Sequence, residues 1–160
     1  MSSNDSISKT LIVAFSLSIV CAIFVSTAAV MLKPAQEINK TLDRKRNILA
    51  AAGMLDEELG VEEQFSQVST RLVDLRTGKF TDDKDAEKYD QRKAAKDPAE
   101  SSALSDEMDL ANISRRENYS LVYVVENSAG ELDKIILPVH GYGLWSTLYG
   151  FVALERDANT

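Results

Sequence analysis

One cysteine, one histidine and one tryptophan stand in 160 residues, and each scarcity removes a kind of chemistry. Cys21 has no second cysteine to pair with, so no disulfide forms within the chain, and its place in an apolar run makes it a small filler. His140 has no Cys, His or carboxylate partner at ligand spacing, which argues against a metal site. A single histidine beside a strand end also supplies no Ser/His/Asp or Cys/His arrangement, so no catalytic residue is assigned. Basic residues are few as well: 18 Lys and Arg against 25 Asp and Glu give a net charge of −7. Nucleic acid is a poor partner for such a surface, because phosphate binding depends on cations that release counterions. Nor does the chain carry the G-x-G-x-x-G nucleotide fingerprint.

What the sequence does have is one long uncharged stretch, Leu11–Leu32, LIVAFSLSIVCAIFVSTAAVML, between Lys9 and Lys33. As a helix rising about 1.5 Å per residue it spans roughly 33 Å, enough for a hydrocarbon core of about 30 Å. Ser26-Thr27-Ala28 resembles a small-residue cleavage site, but a secretory signal has an apolar core of only about 7–15 residues, and the length favours an uncleaved anchor. Ser18, Ile19 and Val20 before Cys21 lack the small residue of a lipoprotein signal. The expected organisation is a short tail over 1–10, a transmembrane helix over 11–32 and one domain over 33–160. Lys33, Lys40, Arg44, Lys45 and Arg46 after the span would keep that domain in the cytoplasm on a naive positive-inside count, but long domains translocate largely regardless of charge.

Pro34 cannot donate to a helix, so the membrane helix is expected to end near Lys33 or kink there, with a second helix beginning around the proline. In that second helix Ile38, Leu42 and Leu49 recur on one face, joined by Ile48 and Ala52, and Gly53 and Gly60 are candidate stops. Its basic face suits either anionic headgroups or plain solvent. Val61, Phe65, Val68 and Leu72 predict a short amphipathic helix, while Leu72, Val73 and Leu75 alternatively begin a strand ending at Thr77-Gly78. Residues 81–109 are acidic and poor in apolar side chains, which predicts an exposed, partly helical surface without calcium-loop spacing. Tyr119–Glu126, a turn at Asn127–Gly130 and the return strand LDKIILPV predict a hairpin over Tyr119–Val139, with Pro138 placing the strand end at an edge or exit. Tyr149–Glu155 is a third strand candidate.

Between the last two strands lies HGYGLWSTLYG, residues 140–150, with three glycines and the only histidine and tryptophan. Gly141 and Gly143 suit a loop that folds over a planar ligand, and Trp145, with Leu144 and Ser146 beside it, suits the wall of a flavin or quinone pocket. A structural turn with a core tryptophan is the competing reading of the same residues.

LKPAQEINKTLDRKRNIL directly after one anchor, together with LPVHGYGLWSTLYGFVALERDANT, resembles the C subunit of the bacterial sodium-translocating NADH:quinone oxidoreductase. The shared features are the Lys-Pro exit from the membrane, the Asp-x-x-x-Asn-Ile-Leu helix, and Gly-x-Gly-Leu-Trp-Ser leading to Asp-x-Asn-Thr. The G subunit of the Rnf electron-transport complex is a more distant likeness. The resemblance implies an α+β fold: a single N-terminal transmembrane helix followed by an FMN-binding-type domain with an antiparallel sheet. It further implies an inner-membrane protein with a periplasmic domain, partnered by the other subunits and by lipid. The translocase it belongs to passes electrons from NADH to ubiquinone and exports sodium.

Members of that family carry FMN joined through its phosphate to a threonine in a Ser/Thr-Gly-Ala-Thr pattern near the C-terminus. Thr77-Gly78-Lys79 and Ser128-Ala129-Gly130 do not fit that pattern, and Thr160 is the last residue. The expectation is therefore an N-terminal piece with an incomplete flavin domain, inactive alone and without covalent flavin. Gly141, Gly143, Leu144, Trp145 and Ser146 are left as the noncovalent flavin wall. A single-span anchored scaffold or sensor domain without flavin is the alternative.

Overall fold

The computed structural model describes residues 6–158, so the first half of the expected tail and Asn159-Thr160 of the Asp-x-Asn-Thr motif lie outside the described residues. It divides into two units, residues 1–43 and 44–160.

The first unit is the greater part of α1, Ile7–Ala51, a continuous 45-residue helix. It contains a stretch long and apolar enough to cross a membrane, and none of that stretch is buried within the protein. Of the two outcomes expected at Pro34, an end near Lys33 does not occur, since the helix runs through the proline. A proline forfeits one backbone bond and crowds the preceding turn, a local cost of roughly 3 kcal/mol that a helix of many turns absorbs. The expected second helix is thus the continuation of the first.

The second unit begins with the last turns of α1, and here the apolar face is used. Ile48, Leu49 and Ala52 are buried, whereas Ile38, on the same stripe but in the first unit, is exposed. Gly53 stops the helix as expected. At φ +68° it lets its own N–H donate to the Ala50 carbonyl (3.1 Å) and the Met54 N–H donate to the Leu49 carbonyl (2.8 Å), a Schellman closure. Lys134 Nζ donates to the Ala52 carbonyl at 3.0 Å and satisfies another C-terminal oxygen.

Gly60 is no stop. It is extended and precedes α2, Val61–Phe65, which is only five residues long. The helix expected through Leu72 gives way after Phe65 to β1, Val68–Asp74, because Val68, Thr70 and Val73 are β-branched and a strand is available to pair with them. The strand alternative therefore prevails, beginning earlier than expected. Gln64, buried at the helix end, ties down the preceding loop: its Nε2 donates to the carbonyls of Asp56 and Leu59, and its Oε1 accepts from the Asp56 N–H.

Past β1 come β2, Lys79–Thr81, α3, Gln91–Ala94, β3, Ser101–Ala103, and β4, Arg115–Glu117. The acidic region is largely exposed and carries one helical turn, as read, but β3 within it went unforeseen. β5, Tyr119–Glu126, and β6, Leu132–Tyr142, form the expected hairpin. β7, Thr147–Glu155, pairs with β6 over its whole length. The main sheet has the order β2-β1-β5-β6-β7, every pair antiparallel, and β3 and β4 make a second, two-stranded ladder.

Alternation along β5 and β6 sends Tyr123, Val125 and Ile136 into a core with Ile48, Leu49, Ala52 and Val68. Tyr123 lies edge-on between Phe65 and Phe151, with ring centroids 6.2 and 5.9 Å away.

Candidate functional site

The sheet is not complete across its width. β5 and β6 pair from Glu126↔Leu132 to Tyr123↔Ile136, and beyond Ile136 strand β6 continues with β7 as its one neighbour. Pro138 sits in this part, so β6 does not end at the proline as expected; what ends near it is the pairing with β5. Continuing the register by two residues would set Pro138 opposite Leu121. Proline has no N–H to give such a pair. The Leu121 N–H instead donates to Oε1 of Gln91 on α3, at 3.1 Å.

Where the two strands part, a cleft of about 620 Å³ opens, within the usual range for small-molecule sites. Its walls come from Arg44 on α1, the segment Glu87–Arg92, Asn112–Arg115, the start of β5, and the β6–β7 ladder from Pro138 to Phe151. Cations and aromatic rings dominate the polar chemistry. The Arg92 guanidinium lies 3.8 Å from the centre of the Tyr149 ring, and His140 stacks with that ring at 5.7 Å and 25°.

Gln91 holds α3 in place. Beyond accepting from Leu121, its Nε2 donates to Glu117 Oε1 and to Ser120 Oγ (3.0 Å). Asp90 caps the short helix by accepting from the Lys93 N–H at 3.1 Å. Glu117 is nearly fully buried, and among the described residues its Oε2 is the buried side-chain oxygen left without a hydrogen bond. Tyr89 donates its hydroxyl to the Tyr119 carbonyl at 2.9 Å. Burial, and then the negative charges of Glu100 and Glu117, push its ionisation up to about 12. Tyr123 is also raised by burial, with Arg44 opposing.

None of the five wall residues expected from the sequence lines this cleft. Gly141 lies within β6 opposite Leu148, and Gly143–Ser146 form the turn joining β6 to β7. The supposed loop over residues 140–150 is therefore mostly strand. Leu144 and Trp145 are 90% and 91% exposed, so the core-tryptophan reading is overturned: the tight turn lifts the indole off the sheet. His140 does enter the cleft, while Tyr89, Gln91, Arg92 and Tyr149 were missed. The one available signal was Asp90 before Gln-Arg-Lys, a cap followed by helix formers. Among the described residues no group of three or more His, Cys, Asp or Glu is placed to hold a metal.

Fold and cleft together define a class: an α+β protein in which one N-terminal helix of membrane-crossing length and apolarity leads to an antiparallel sheet with an aromatic, cationic cleft. No family model matches the sequence. Individual relatives are nevertheless clear. The chain is 52% identical over 160 residues to the C subunit of the Na(+)-translocating NADH-quinone reductase of Vibrio anguillarum, covering 99% of this chain and 62% of that protein. The same-named protein of Pseudomonas aeruginosa is 49% identical over 164 residues, with 100% and 62% covered. The crystal structure of Shewanella oneidensis NqrC superposes with a TM-score of 0.67 at 36% identity, over 76% of this chain and 57% of that one. Along its whole length the chain is similar to the C subunit of the Na(+)-translocating NADH-quinone reductase, and it spans about three-fifths of the length of the curated relatives it matches.

Proposed function

We propose that this chain is the membrane-anchored part of a flavin-carrying subunit in a respiratory complex that moves electrons from NADH to ubiquinone and exports sodium. The observation that carries the reading is identity near one half along the whole chain to proteins named as the C subunit of that reductase, joined to a sheet that overlays a solved NqrC. α1 tethers the sheet unit to the bilayer, with that unit on the periplasmic side, and the remaining subunits of the complex are its partners.

FMN, when bound, supplies reversible electron transfer, and the protein supplies position and local polarity. The cleft suits such a group: its volume accommodates a planar cofactor, Tyr142 and Tyr149 offer aromatic surface, and Arg44 and Arg92 bring positive charge for a phosphate. These residues are better placed for noncovalent contact than Gly141, Gly143, Leu144, Trp145 and Ser146, which stand outside the cavity. The 160 residues hold no Ser/Thr-Gly-Ala-Thr pattern, so on this reading they carry no covalent flavin and are inactive by themselves.

Affinity purification of the tagged chain from detergent-solubilised membranes tests the assignment. The other subunits of the reductase are expected to copurify, and their absence from a preparation rich in the tagged chain refutes the subunit role. In a Cys21→Ser background, Leu110→Cys, at a 95% exposed position, is expected to react with a membrane-impermeant maleimide in intact cells. Labelling only after lysis overturns the periplasmic placement. A fluorescent flavin band from the denatured 160-residue chain overturns the absence of covalent attachment.

A further inference from the structure

We draw no further inference here: the strongest candidate, the buried Glu117 carboxyl at the end of β4 with its Oε2 left without a hydrogen-bond partner among the described residues, does not line the cleft, and nothing in the structure shows what would meet it.

Discussion

Replacing Ile136 by alanine tests the claim that the core is closed by the β5–β6–β7 pairing. The side chain is fully buried among Ile48, Leu49 and Tyr123, and its backbone is fixed on both sides, opposite Tyr123 in β5 and Ala153 in β7. Deleting buried methyl and methylene groups costs about 2–5 kcal/mol, more where the surroundings cannot collapse. Two paired neighbours prevent collapse here, so the upper half of that range is expected, against about 0.5–1.5 kcal/mol for Ile136→Val. The choice of signal matters. α1 contributes 45 helical residues to far-ultraviolet dichroism, and Trp145 is solvated in the folded state, so neither reports the core. Amide exchange of β5, or the near-ultraviolet dichroism of the Tyr123 ring between Phe65 and Phe151, does. Urea titrations in mild detergent should separate Ile136→Ala from Leu144→Ala, which lies at an exposed position and is expected to change stability by less than about 0.5 kcal/mol. Equal losses for the two, or a loss below about 0.5 kcal/mol for Ile136→Ala, refute the packing argument.

Gln91→Ala removes the bonds to Glu117, Ser120 and Leu121 and strands a buried carboxyl group, so a loss of about 1–3 kcal/mol is expected in the same titration. Gly53→Ala meets open space but must hold a φ of +68°, and a loss of about 1 kcal/mol from backbone strain alone is expected, read from the urea midpoint. Tyr89 ionises at about 12 in the fold against 10.0 for an ordinary tyrosine, so the fold favours its neutral form. The stability it contributes is complete below pH 10 and is lost as pH climbs through 12; absorbance titration should show late tyrosinate phases, of which Tyr89→Phe deletes one and leaves that of Tyr123.

The parts of this fold that a local pattern specifies were legible. Twenty-two uncharged residues marked the membrane-length helix, β-branched runs around a turn marked β5 and β6, and a lone glycine marked the end of α1. The misreadings arose where partners distant in sequence decide. Val61–Leu72 has helical spacing, yet β1 forms there because β5 offers a ladder from Val68 to Asp74. Pro34 reads as a stop in isolation but sits within a helix long enough to carry it. The cleft was the least legible feature, since its walls come from five separate segments and its cation–aromatic contact from Arg92 stacking on Tyr149, far apart in the chain. The glycine–tryptophan motif forms the turn of the same β6–β7 ladder whose strands line the cleft.

One proline explains why there is a cleft at all. A sheet of five strands tends to pair each strand along its full length, and β5 and β6 are both long enough to continue beyond Tyr123↔Ile136. The next opportunity on that side falls at Leu121 and Pro138, where proline lacks the donor, and the Leu121 N–H is claimed by Gln91. Separation of the strands and docking of α3 are then linked: the Gln91 side chain, which accepts from the Leu121 N–H in place of a β6 carbonyl, also fixes the helix that presents Arg92 to Tyr149. It follows that Gln91→Ala should speed amide exchange at Leu121 selectively, while Val124 and Val125, within the intact ladder, keep their protection. Adding Pro138→Val to that variant returns a donor for the Leu121 carbonyl, and if the strands close on it the 138 carbonyl can accept from the Leu121 N–H, so Leu121 protection should recover. Unchanged exchange at Leu121 in Gln91→Ala, with the rest of β5 still protected, would mean that the parting of β5 and β6 is set by something other than this substitution of one hydrogen-bond partner for another.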